Sequence, residues 1–163
     1  MTRIVIILTL ILLITFNSFG QTNIPFKEAD HYKTKKFDVA IFPENYFEFI
    51  SDQRFTPTRQ EIDKAEIALR NNLKTSNKQL VNQSSTPIIH IKLNKYKRQY
   101  FGYIDKNGDR ILFINCFWSK DKNSTKRWLT SEIMFLDGGS YYWNVKFNLN
   151  KNEIFDLNIN GFA

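Results

Sequence analysis

The sequence predicts an α+β domain, with one long helix packed on a curved antiparallel sheet of four to five strands. Three observations carry that reading. Ile62, Ala65, Leu69 and Leu73 recur at three- and four-residue spacing, which puts a single apolar stripe on a helix. After Pro87 the pattern changes to two-residue alternation, the period of a half-buried strand. Between two such runs stands Asn107-Gly108, the strongest short-range signal for a hairpin.

The chain begins with a different kind of segment. Arg3 precedes the mostly apolar run Ile4 to Phe16, and small residues occupy Ser18 and Gly20 before Gln21. That order is a secretory signal peptide over residues 1–20, with cleavage near Gln21. The apolar run covers roughly 20 Å as a helix, short of a bilayer's hydrocarbon core of roughly 30 Å. A retained anchor would need a longer run or a flanking basic cluster. With no cysteine at the cleavage point, acylation there is closed. The expected product is secreted or periplasmic, soluble, and without stable membrane insertion once cleaved.

Residues 21–55 carry the weakest patterning. A strand near 37–42 and a helical turn near 44–50 fit the apolar and aromatic patches there. The domain proper is placed at 56–163. Its helix is predicted over 57–75, opened either by Thr56 before Pro57 or by a Thr58/Glu61 capping box. Asn77 offers a left-handed exit. Strands then follow from Ile89, with a parity change near Lys95, and at Tyr96 to Ile104 and Ile111 to Trp118. A polar loop, Ser119 to Lys126, separates these from Trp128 to Leu136. Beyond the Asp137-Gly138-Gly139 turn, Trp143, Val145 and Phe147 alternate with polar residues. Phe155, Leu157 and Ile159 do the same after the 150–152 turn.

Composition sets further bounds. Three Trp, 7 Tyr and 15 Phe supply ample core without staples, and the single cysteine, Cys116, forbids an intramolecular disulfide. The net charge of +7 is scattered, which suits solubility better than nucleic-acid binding. A protein or an anionic glycan of the cell envelope is the partner such a basic exported chain would meet.

No catalytic set emerges from the residue types. Cys116 lies in a run apolar on both faces, where a thiol is inert, and His31 and His90 are isolated from it in sequence. Three Cys and His in total, none close together, make no zinc motif, and no cofactor signature is present. Asp105 to Asp109 superficially resembles a calcium loop but has its glycine at the wrong position and reads as a hairpin turn. The stretch with a positive reading is Lys95 to Tyr103. Alternation puts Tyr96, Arg98 and Tyr100 on one strand face, a row able to stack on sugars and pair with anions if exposed, or to pack cross-strand if not.

In element order, residues 57–163 resemble the cystatin-like arrangement, a sheet wrapped on one helix. That resemblance would imply protease inhibition through a Gln-x-Val-x-Gly loop. The nearest string, Gln79-Leu80-Val81-Asn82-Gln83, lacks the glycine and reads as a connector. The stretches Phe55 to Thr58, Arg98 to Tyr103, Asp137 to Gly139 and Asn160 to Ala163 resemble short exported proteins of unknown function from Bacteroidetes-type bacteria. Those readings favour a non-enzymatic binding or interaction domain. An inhibitor or immunity-type protein acting on a hydrolase or toxin comes second. An enzyme using the scattered carboxylates Asp105, Asp109 and Asp137 is third.

Overall fold

The computed structural model describes residues 28–46, 53–118 and 126–162. The predicted leader, most of the expected 44–50 turn and most of the polar loop after Trp118 lie outside them. Pro43 to Tyr46 does close a turn, Tyr46 N–H donating to Pro43 O at 3.0 Å. Among the described residues no helix is long and apolar enough to cross a membrane.

The architecture is α+β. The strands are β1 (Asp30–Lys33), β2 (Asp38–Ile41), β3 (Arg54–Phe55), β4 (Tyr96–Ile104), β5 (Arg110–Trp118), β6 (Tyr142–Asn148) and β7 (Glu153–Ile159), and the helix is α1 (Arg59–Ser76). They form one open sheet in the order β1-β2-β4-β5-β6-β7, with β3 also pairing on β4. This corrects the expectation of four or five antiparallel strands. The additional strands come from the segment of weak patterning, and β2 runs parallel to β4, so the sheet is mixed. β2 and β3 share one edge of β4, pairing Lys97–Tyr100 and Gly102–Tyr103 respectively. Gly102 permits this, because a Cβ there would lie 2.5 Å from Phe55 O.

α1 starts through the Thr58/Glu61 capping box and not at Thr56. Its stripe (Ile62, Ala65, Leu69, Leu73) packs with Val39, Ile41, Tyr100, Ile114, Val145 and Phe147 into the inner core. Asn77 ends the helix at φ −98°, and the left-handed conformations fall instead on Leu80 and Asn82. The hairpin closes as expected. Asp105 Oδ1 accepts from the Asn107 and Asp109 N–H groups, and Gly108 takes φ 82°.

Three predicted strand features fail, each for a local reason. Residues 88–95 form turns and a 3-10 helix (Leu93–Lys95), so the parity change is a change of structure. Trp128 to Leu136 is a 3-10 turn (Lys126–Leu129) followed by an irregular strap that side chains hold to the sheet. In β7, Asp156 adopts φ 53° and shifts the register against β6. That bulge points Phe155 outward while Ile154, Leu157 and Ile159 pack inward.

The outer face of the sheet carries a second, aromatic core: Phe42, Tyr46, Phe101, Phe113, Phe117 and Trp128. It covers β2, β4 and β5. Among the described residues the covering towards β6 and β7 thins to the strap alone.

Candidate functional site

Tyr96, Arg98 and Tyr100 do share a face, and that face is the inner one. All three are buried, Arg98 and Tyr100 completely, so the row is not an exposed recognition surface. What drew it inward was absent from the sequence reading. Glu66 sits four residues after Ile62 on the helix stripe and is itself buried. Its Oε1 accepts from Tyr100 OH at 2.8 Å and lies 3.3 Å from Arg98 Nε. Arg70 Nη2 stands 3.6 Å from its other oxygen. Arg98 Nη2 donates to Leu93 O at 2.6 Å, and Tyr96 OH donates to Ser140 O at 2.7 Å. Burial, then the Glu66 charge, pushes the Tyr100 phenol up. A charged residue on an otherwise apolar stripe was the signal that could have identified this cluster.

The other candidates do not converge. Cys116 faces the inner core beside Arg98, and burial holds its thiol well above the usual range. His31 lies across the sheet, its Nε2 2.7 Å from Asp38 and its ring edge-on to Trp128. His90 is held near Asn77, 3.0 Å from the amide nitrogen. Asp105 shapes the β4–β5 hairpin and Asp109 pairs with Lys151 at 2.8 Å. Asp137 belongs to the opposite end of the sheet, its carbonyl bonded by Asn160. The connector Gln79 to Gln83 is tied down by a reciprocal amide pair, Asn77 with Gln83, at 2.9 and 2.6 Å.

A different constellation appears on the outer face. Strand register places Gln99 opposite Asn115, Asn115 opposite Asn144, and Asn144 opposite Asn158. Four amide side chains therefore form a row across β4, β5, β6 and β7, with cross-strand neighbours about 5 Å apart. The first two are spent on the strap. Gln99 Nε2 donates to Trp128 O and Ser131 O, both at 2.8 Å, and its Oε1 accepts from Ile133 N–H at 2.8 Å. Asn115 Nδ2 donates to Gln99 Oε1 at 3.0 Å and to Ile133 O at 2.7 Å. At the far end of the strap, Asn160 Nδ2 donates to Phe135 O at 2.6 Å.

The last two amides are not used. Asn144 is half-buried, Asn158 is exposed, and neither side chain has a hydrogen bond among the described residues. They floor a groove of about 520 Å³ between the strap and β7. Its lip is apolar: Met134, Phe135 and Leu136 are 71%, 50% and 91% exposed. The Phe135 ring stacks on Tyr142 with centroids 4.1 Å apart. Among the described residues Glu132 gives the lining its one charged side chain.

Such a site offers neutral donors and acceptors beside an aromatic surface. Each amide supplies two N–H groups and an oxygen with two lone pairs. Among the described residues its lining presents no nucleophile with a base and no paired carboxylates. No protein-family model, curated protein or solved structure matches the chain.

Proposed function

We propose that this chain is an exported, non-enzymatic binding domain whose recognition site is the amide-floored groove on the outer sheet face. The observation that carries the reading is the half-used amide row. Gln99 and Asn115 satisfy their hydrogen bonds within the protein, whereas Asn144 and Asn158 present theirs to the groove. The apolar leader supports export, and a cystatin-like reading has only the single helix on a sheet to support it, since the sheet here is mixed and has β1 to β3 added along one side. An anionic ligand is not what this groove favours, because no cation lines it among the described residues. The test is binding of the purified chain to immobilised glycan and peptide panels beside an Asn144→Ala/Asn158→Ala variant. Wild-type binding that the variant loses supports the reading; equal binding by both, or by neither, refutes it.

The exposed lip favours a second reading. Met134, Phe135 and Leu136 form a contiguous apolar strip of the kind that marks protein contacts. An inhibitor or immunity-type protein would use it against a hydrolase or toxin. In that case Leu136→Ser would abolish capture of a peptide-panel ligand that the amide variant still binds.

A further inference from the structure

We infer that the groove's ligand is a neutral oligosaccharide, with sugar hydroxyls on Asn144 and Asn158 and a sugar face against Phe135. The inference rests on the groove being the recognition site, and four features of the groove carry it further. First, a hydroxyl both donates and accepts, and so does a carboxamide, so each of the two unused amides can hold a sugar hydroxyl in both roles. Second, their spacing of about 5 Å across strands is close to the length of one sugar residue in an extended glycan. Third, Phe135 packs on Tyr142 yet stays 50% exposed, which leaves ring surface for the apolar face of a pyranose. Fourth, among the described residues no Lys or Arg lines the groove to pair with a sulfate, phosphate or uronate.

The rival occupant is an extended peptide, and the strand geometry disfavours it. A peptide gains affinity by adding its backbone to a sheet edge. Here the edge is β7, and Asp156 at φ 53° breaks its regular course while its carboxylate takes Lys146 Nζ at 2.6 Å. The groove itself lies on the face of the sheet, where β5 and β6 have already paired their backbones. Side-chain amides and a ring are what remain to be read.

The probes are cellohexaose, chitohexaose, mannohexaose and xylohexaose, with a hexagalacturonate as the charged comparator and a neutral Asn/Ser hexapeptide as the peptide arm. Calorimetry would measure affinity, and the side-chain NH2 resonances of Asn144 and Asn158 would report contact. At least one neutral hexasaccharide should bind and move both resonances. Asn144→Ala, Asn158→Ala and Phe135→Ala should each weaken it about tenfold or more, with the thermal midpoint unchanged. If the peptide binds through the groove and no hexasaccharide does, the ligand class is wrong while the groove reading stands. Equal binding of the hexagalacturonate overturns the neutral specificity. If no probe moves either resonance, both the inference and the groove reading fail.

Discussion

Residues 98 and 99 are adjacent in β4, yet they head two polar rows with opposite fates. Arg98 points into the inner core, where Glu66, Tyr100, Leu93 and Tyr96 surround its guanidinium. Gln99 points outward and starts the amide row that runs to Asn158. In the inner cluster the charges and hydroxyls are paired with one another and with backbone under a helix, although Arg98 Nε and Glu66 Oε2 make no hydrogen bond. In the outer row the partners run out halfway, because the strap bonds Gln99 and Asn115 but, among the described residues, neither Asn144 nor Asn158. Polar residues buried under an element hold structure, whereas polar residues at the margin of a covering keep their hydrogen bonds for something else.

If that contrast is real, damage should scale with position along the two rows. Glu66→Ala should be the most disruptive change, since it strands the buried Arg98 charge. A loss of about 3–5 kcal/mol in urea unfolding is expected, and Glu66→Leu with Arg98→Met should recover much of it. A Glu66→Ala protein as stable as wild type would break the comparison at its strongest point. Gln99→Ala comes next, at about 1–3 kcal/mol, because it removes anchors of the strap and leaves Ile133 N–H and two carbonyls unanswered. Faster hydrogen exchange at Ile133 would locate the effect.

A smaller and pH-dependent change is expected at Asp109. Hydrogen bonds from Lys151 and then Asn148 hold its carboxyl below the usual range. A depressed carboxylate lends stability above the ordinary aspartate range, and that contribution disappears as pH falls through its lowered value. Asp109→Asn should therefore flatten only the acid limb of a thermal-midpoint profile. The smallest effect belongs to Asn144→Ala, within about 0.5 kcal/mol of wild type. A large loss there would mean that the outer amides are structural after all.

The parts of the fold that were legible in the sequence are those whose signals are local. The Thr58/Glu61 box, the helix stripe and the Asn107-Gly108 turn each specify their structure within a few residues. A strand near 37–42 was legible and is β2, but its place in the sheet was not, because its partner β4 lies far along the chain, and β1 pairs only on β2. The strap was misread as a strand because its apolar residues, Ile133 to Leu136, look like one, while its hydrogen bonds go to Gln99, Asn115 and Asn160 instead of a ladder. Alternation correctly grouped Tyr96, Arg98 and Tyr100 on one face, but it cannot tell the wet face of a strand from the dry one. Glu66 decided that. The amide row is invisible in sequence for a plainer reason: its four members come from four strands, and only register brings them together.

The parallel pairing of β2 with β4 also bears on how the chain reaches its native state. β2 leaves the ribosome early, but the edge it needs does not exist until α1 and all of β4 have been made. Its contacts are long-range, and such pairings form slowly because loop closure must precede them. In the interval Val39, Ile41 and Phe42, all buried in the finished molecule, would be exposed. A chain synthesised in this order stays unlocked until late. Refolding should accordingly show β2 protected last, after the β4–β5 hairpin and α1.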